Sequence, residues 1–405
     1  MFLTINPTDK QRYDQVAVQN FQEYLRIPSV QPDIDYDECV KFIQKLANDI
    51  GLPCKVIYPK PKRPIVVVTL EGTDPTLPSI LLNGHMDVVP VFADKWTQKP
   101  FGAEIVDGKI YGRGTQDMKS ISIQYMETIR RIKDSGKRLK RTLHCSFVPD
   151  EEIGGVLGMA EFVKTEDFKN MNIGFALDEG IASVNDSYTL FKGEKCMWHL
   201  KFHCPGQPGH GCLLHENTAA EKVRVILDKI YDHREVQKNK LKQNPDLTLA
   251  DVITLNATII KGGVQANVLA DEHTITVDVR MPYTVDADGF WATLQSWCKE
   301  AGQGVWIEKL IFDSITQPTT LDSSNIYWTA IETTMHKLNI RVSPLIFPGV
   351  TDSRYLRRLG IPALGLSLIN NTPILLHDHD EYIRKDTFLR AIEIYTDLIP
   401  AVANA

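Results

Sequence analysis

No apolar stretch in this chain of 405 residues is long enough to cross a bilayer: the longest wholly apolar runs, such as Ile65 to Val68, are strand-sized, far below the roughly 18 residues a spanning helix needs. Charge of one sign is not in excess either. Lys and Arg number 45 against 51 Asp and Glu, a formal charge of -6 mixed along the chain, so no basic face for nucleic acid is legible. Cysteine is sparse. The 7 cysteines, at 39, 54, 145, 196, 204, 212 and 298, are odd in number and scattered, with no C-x-x-C pair, which argues against a disulfide framework and against a thiolate zinc site. Met1 to Pro7 has no basic region followed by an apolar core, and Ala401 to Ala405 carries no prenylation or retention signal, so a cytoplasmic protein is expected. Repeats and low-complexity tracts are lacking, and Arg234 to Lys242 is a charged, solvated helical stretch. What is present, 43% hydrophobic and 24% charged residues, is the composition of a soluble globular protein with length for two or three domains.

Thr8 can cap a helix carrying Val16, Val18, Phe21 and Leu25 and ending before Pro28. Apolar runs at Ile65 to Leu70 and Ile80 to Val89 read as strands, and Asp107-Gly108 as a hairpin turn. A helix (Ser120 to Lys133), a strand (Leu143 to Val148), a short helix (Met159 to Val163) and a strand (Ile173 to Leu177) follow. That alternation predicts an α/β sheet covered on both faces. Beyond residue 192 the pattern becomes α+β: strands at Met197 to Phe202, Val252 to Ile260, Thr274 to Val279 and Trp306 to Ile311, and helices from Ala219 and over Phe290 to Cys298. From Ser324 a helix, the strand Ala363 to Leu368 and a helix from Lys385 make a segment too small to bury its own core. The expected organisation is therefore one domain from 1–192 with 315–405, interrupted by a second at 193–314.

Five segments carry candidate chemistry. His85 and Asp87, in Asn83-Gly84-His85-Met86-Asp87, end an apolar strand, where α/β proteins place their sites. His85 suits a metal with Asp87 orienting it from behind, or the two are a local hydrogen-bonded pair. Asp117, in Gly114-Thr115-Gln116-Asp117-Met118-Lys119, stands at a helix entrance, as a ligand or as a cap. Asp150-Glu151-Glu152 follows a strand and precedes two glycines, either as a solvated loop or beside cations. Asp178-Glu179 ends another strand, and His377-Asp378-His379-Asp380-Glu381 lies near the C-terminus. Histidine and carboxylate without cysteine make the ligand set of a catalytic zinc or a co-catalytic pair.

The order Gly84-His85-Met86-Asp87, Gly114 to Lys119, Asp150-Glu151-Glu152, Asp178-Glu179-Gly180, Pro208-Gly209-His210 and His377-Asp378-His379 resembles the aminoacylase/carboxypeptidase family of dinuclear zinc peptidases over nearly the full chain. The resemblance implies an α/β/α zinc-binding domain interrupted by an α+β lid and dimerisation domain, and a homodimer. It implies two zinc ions per subunit bridged by Asp117, one completed by His85 and Glu179 and the other by Glu152 and His377. Three carboxylates and a hydroxide then balance two dications, which tolerates burial. Glu151 would be the general base, with Asp87 behind His85, and His210 would stabilise the oxyanion from the inserted domain, in dimers across to the partner's site. A cis bond at Asp117-Met118 is implied as well.

The implied reaction is hydrolysis of an N-acyl-L-amino acid to a carboxylate and a free amino acid. Arg280 and Asn267 match the family's substrate-binding positions, and Arg354 is a second candidate for the free carboxylate, a group suited to a guanidinium fork. Cys212 departs from the small polar residues usual after the loop histidine, which leaves that loop's conformation open. A dipeptidase or carboxypeptidase on the same zinc site, or a non-catalytic binding protein on the fold, are the alternatives. No nucleic acid or membrane partner is expected.

Overall fold

A computed structural model describes residues 7–405, so the expectation drawn from Met1 to Asn6 about targeting lies outside the described residues. The chain forms two compact units: one from the residues up to Gly193 with Thr319–Leu345 and Thr351–Ala405, the other from Glu194–Pro318 with Ile346–Val350.

The first unit is built on an eight-stranded mixed sheet in the order Cys54–Lys60, Arg63–Leu70, Leu143–Val148, Ser79–His85, Ile173–Asp178, Ala363–Leu366, Tyr188–Glu194, Val342–Phe347. Branched aliphatic residues suit a pleated surface, and the period of two sends alternate side chains to opposite faces. Val66, Val68, Ile80, Leu82, Phe175 and Leu177 enter one core, with side chains from the helices Asp37–Ile50, Lys119–Asp134 and Lys385–Ala403. Ile65, Val67, Leu81 and Ala176 enter another, with Met159, Phe162, Phe168 and Leu356. With both faces covered, Ser79–His85 and Leu143–Val148 are buried throughout, the α/β arrangement the apolar runs predict.

Ser79–His85 runs parallel to both Leu143–Val148 and Ile173–Asp178. Their C-terminal ends therefore open at the same edge, where crevices form in open α/β sheets. That edge delivers His85, the turn after Val148, and Asp178-Glu179.

Three local expectations change. The strand anticipated through Val89 ends at His85, because Val88 turns aside to donate to the Ser29 carbonyl and accept from the Gln31 amide. The first helix begins at Pro7, so Thr8 lies inside its first turn rather than capping it. The helix Asp37–Ile50 was not anticipated, although Cys39, Val40, Phe42, Ile43, Leu46, Ala47 and Ile50 form its buried stripe at helical spacing.

The second unit is a four-stranded antiparallel sheet, in the order Thr254–Gly262, Glu272–Met281, Cys196–Pro205, Trp306–Phe312, packed with the helices Ala219–Gln243 and Ala287–Ala301. Leu200, Phe202, Ile226, Ile275, Val277 and Leu294 share its core. Thr218 and Glu221 start the long helix with a reciprocal capping box. Asp278 stands opposite His199 across the strand pair, which puts both on one face of the sheet. Among the described residues no helix is long and apolar enough to cross a membrane.

Candidate active site

Asp117 joins two groups of side chains at the edge of the first sheet. Its Oδ1 lies 2.9 Å from His85 Nε2, which is 3.6 Å from Glu179 Oε2. Its Oδ2 lies 3.2 Å from His377 Nε2, which is 3.1 Å from Glu152 Oε2. Ligand atoms within each trio, His85/Asp117/Glu179 and Asp117/Glu152/His377, fall within 4.8 Å of one another, the spacing of donors around a metal ion. The first trio is buried, with His85 only 1% exposed, whereas the His377 side chain is 55% exposed and gives the second trio an open side. The Asp117-Met118 peptide is cis. Gly84 allows a close approach beside it, since a Cβ there would meet Ser122 Oγ at 2.4 Å.

The residues around these trios set their geometry. His85 Nδ1 meets the main-chain carbonyl of Asp87 at 2.9 Å, while the Asp87 carboxylate is 3.6 Å away. A carbonyl only accepts, so Nδ1 carries a proton, and Nε2 is the ring atom a metal would take in place of the proton it shares with Asp117. Asp87 thus stands behind His85, its backbone carbonyl closer to the ring than its carboxylate. That carboxylate instead accepts the amides of Glu151 and Glu152 at 3.2 and 3.1 Å and the amide nitrogen of Gln31 at 2.8 Å.

Glu381, noted in sequence only as part of a charged run, is fully buried against Arg113 at 2.7 Å and accepts the Gln116 and Gly114 amides at 2.6 and 3.2 Å. It shapes the loop that presents Asp117. Asp178 accepts from Asn83, from the Glu179 amide and from Ser353 Oγ at 3.1, 3.0 and 2.7 Å, which fixes the strand end before Glu179.

Charge is crowded here. Burial and the neighbouring Asp117 push the Glu152 carboxyl up to about 7. Burial raises Glu179 and Glu151 well above the usual carboxylate range, reinforced by Asp117 at Glu179 and by Glu179 at Glu151. His377, hydrogen-bonded to Asp117 and Glu152, is raised to about 10. Burial opposes a charge on His85, yet Glu179, Asp117 and Asp87 outweigh it and raise its pKa well above the ordinary value. The ring that holds this much negative charge at close range also leaves Glu152 Oε1 buried without a hydrogen-bond partner. An acceptor of that kind calls for a donor or a cation. Two dications would satisfy both the orphaned oxygen and the crowded carboxylates, so the residues fit a dinuclear metal centre.

Arg354, the second candidate for the substrate carboxylate, lies inside the fold. It is 2% exposed, and its terminal nitrogens donate to the carbonyls of Thr351 at 2.7 Å and Gly154 at 2.5 Å. Its guanidinium is engaged with the backbone of the Glu151–Gly155 turn, not presented to a ligand.

His210, Asn267 and Arg280 belong to the second unit. The first two are neighbours: Gly209–His210 pairs with Val268–Leu269, and the Gly211 amide donates to the Asn267 carbonyl at 2.8 Å. The Cys212 amide donates to His210 Nδ1 at 3.2 Å, which in the neutral ring leaves the proton on Nε2. Arg280 contacts Asp278 through Nε at 3.1 and 3.0 Å, and Asp278 also meets His199 at 2.9 Å.

The chain is similar to known proteins over nearly its whole length. Mouse (Mus musculus) aminoacylase-1 is 45% identical over 391 residues, covering 96% of this chain and 95% of that protein. Aminoacylase-1 of Dictyostelium discoideum is 41% identical over 397 residues, covering 95% and 97%. Among solved structures, an M20 family metallo-carboxypeptidase from Sulfolobus solfataricus superposes with a TM-score of 0.75 at 17% identity, covering 96% of this chain and 99% of that one. A dinuclear metal binding peptidase of the M20 family from Bacillus subtilis does so with a TM-score of 0.68 at 16% identity, covering 97% and 98%. The pattern described as Peptidase family M20/M25/M40 matches residues 81–401, a span that contains all five residues of the two trios, and the chain belongs to that family.

Proposed function

We propose that His85, Asp117 and Glu179 hold one zinc ion and that Asp117, Glu152 and His377 hold a second, in an enzyme that hydrolyses N-acyl-L-amino acids to a carboxylate and a free L-amino acid. The sharing of Asp117 between two ligand trios, with Glu151 adjoining one of them, carries this reading. The relatives' name, aminoacylase-1, at 41 to 45% identity over nearly the whole chain supports the amide chemistry.

Zinc held by these two trios would supply a water of lowered pKa and a Lewis acid for the acyl carbonyl. Glu151 is the general base: its turn is held against Asp87, and it takes the proton of the attacking water and later hands it to the leaving amine. His210, with its proton on Nε2, donates to the oxyanion of the tetrahedral intermediate. Arg280, oriented by Asp278, and Asn267 receive the substrate carboxylate. Arg354 serves the Glu151–Gly155 turn instead.

We place the enzyme in the cytoplasm as a homodimer. All seven cysteines are free, which suits a reducing compartment. The edge strand Thr254–Gly262 and the loop after it expose Ile259, Ile260 and Val264, the last 90% exposed, an apolar edge that a second copy would cover. The test is amino-acid release from N-acetyl-L-methionine and from an unblocked methionine dipeptide, with zinc-loaded and chelated enzyme. Chelator-sensitive release well above the dipeptide is expected; the reverse preference makes this a dipeptidase.

A further inference from the structure

Glu151 and Glu152 sit in a turn whose first residue, Asp150, is buried and held in the left-handed region at φ 63°, a conformation uncommon for any residue but glycine. Such a conformation persists where the surroundings over-determine it. Here the surroundings come from the connection between the first two helices, at Gln31 and Tyr36, 119 and 114 residues earlier in the chain. Tyr36 Oη donates to Asp150 Oδ1 at 2.7 Å and accepts the Asp150 amide at 3.0 Å. Gln31 Nε2 donates to Asp150 Oδ1 at 3.1 Å and to Asp87 Oδ2 at 2.8 Å. Arg63 closes the other side of the Asp150 carboxylate.

One amide group therefore bridges two buried carboxylates, and each of them governs the turn. Asp150 begins it, and Asp87 receives the amides of Glu151 and Glu152. Both acceptors are carboxylates, so the Gln31 amide must face them with its NH₂. The other end of the turn is held independently, since the Gly154 carbonyl accepts from Arg354 and from Tyr355 Oη at 2.5 and 2.7 Å. The Glu151 carboxylate itself is left out of this net of bonds and is free to move a proton.

We infer that Gln31 and Tyr36 are positioning residues for hydrolysis: through Asp87 and Asp150 they fix where the Glu151 carboxylate points. The inference rests on the reading of Glu151 as general base. Misplacing a reacting group by about 1 Å costs roughly 100-fold in rate, and these bonds act on the backbone that carries it.

Tyr36→Phe and Gln31→Leu are made in the full-length chain, beside Glu151→Gln and Thr69→Val, the last removing the Thr69–His144 contact at 2.9 Å elsewhere in the same unit. Three quantities are read: kcat and KM for N-acetyl-L-methionine, zinc bound per chain, and hydrogen exchange of the 150–155 segment in metal-free protein. The expected result for Tyr36→Phe is a kcat lower by roughly 10- to 100-fold with KM within about twofold. Zinc content is unchanged, and exchange at the Glu151 and Glu152 amides is faster. Thr69→Val lowers the melting temperature without any of these changes. If Tyr36→Phe, and Gln31→Leu where it folds, exchange like the native chain and keep kcat, the inference is overturned. Activity that falls only in proportion to lost zinc overturns it too. Turnover in Glu151→Gln would instead refute the general-base reading, and the exchange rates would still decide whether the clamp exists.

Discussion

Replacing Glu381 by Gln should weaken both metal positions together, although Glu381 touches no ligand atom of either trio. Its carboxylate accepts from Arg113 at 2.7 Å, from the Gln116 amide at 2.6 Å and from the Gly114 amide at 3.2 Å, all buried. Gln keeps the shape but has one acceptor oxygen, so its NH₂ must face a backbone N–H or the guanidinium. Arg113 would then be a buried charge without its counter-ion, and breaking such a pair costs about 3 to 5 kcal/mol. For a unit of this size that is a fall in melting temperature of roughly 10 °C. The loop cannot repack without moving Asp117, the residue common to both trios. Outer-layer partners of metal ligands carry about 10- to 100-fold in affinity, and the loss should be felt at both positions. Competition with a chromophoric chelator resolves the two binding steps, and scanning calorimetry reads the stability. Loss at one step alone, or less than about threefold at both, would refute the chain of reasoning from Glu381 through the loop to Asp117.

Acid stability provides a second test. Burial holds His144 down at about 4 against an ordinary value near 6.5. The folded state therefore binds fewer protons than the unfolded one between those values. The stabilisation is complete above about pH 6.5 and is lost as the pH falls toward 4, amounting to about 3 kcal/mol. Denaturant titrations at pH 7.5 and 4.5 should show His144→Gln flattening that acid limb. Arg280→Lys should raise KM for N-acyl amino acids by roughly 10- to 100-fold with kcat nearly kept, because an ammonium does not reproduce the fork that Asp278 orients. A fall in kcat with KM unchanged would remove Arg280 from carboxylate binding.

The central strands were legible in the sequence for one physical reason, whereas the candidate ligand set followed only from the family resemblance, since Asp117 and His377 lie in loops rather than at the end of an apolar strand. Apolar runs such as Ile80 to Leu82 and Leu143 to Val148 end in polar residues at the edge where α/β sites form. The outer strands Cys54–Lys60, Tyr188–Glu194 and Val342–Phe347 were not read, since two of them mix half-buried and exposed positions without a clean alternation. The helix Asp37–Ile50 carries a buried stripe at helical spacing and so is marked in the sequence by its own periodicity. Partners distant in sequence were invisible for another reason. Gln31, Tyr36, Arg113 and Glu381 act on residues 119, 114 and 268 positions away, so no local pattern marks them as part of the site. How the Asp87 carbonyl points was not legible either, because the end of the strand at His85 depends on the bonds of Val88 to the 29–31 segment.

The most direct measurement is of Glu151→Gln loaded with zinc, reading metal content and single-turnover hydrolysis of N-acetyl-L-methionine on the same sample. Two zinc ions per chain, with the rate lower by roughly 100- to 10,000-fold, is the result expected of a general base beside an intact metal centre. Native turnover with both ions bound would contradict it.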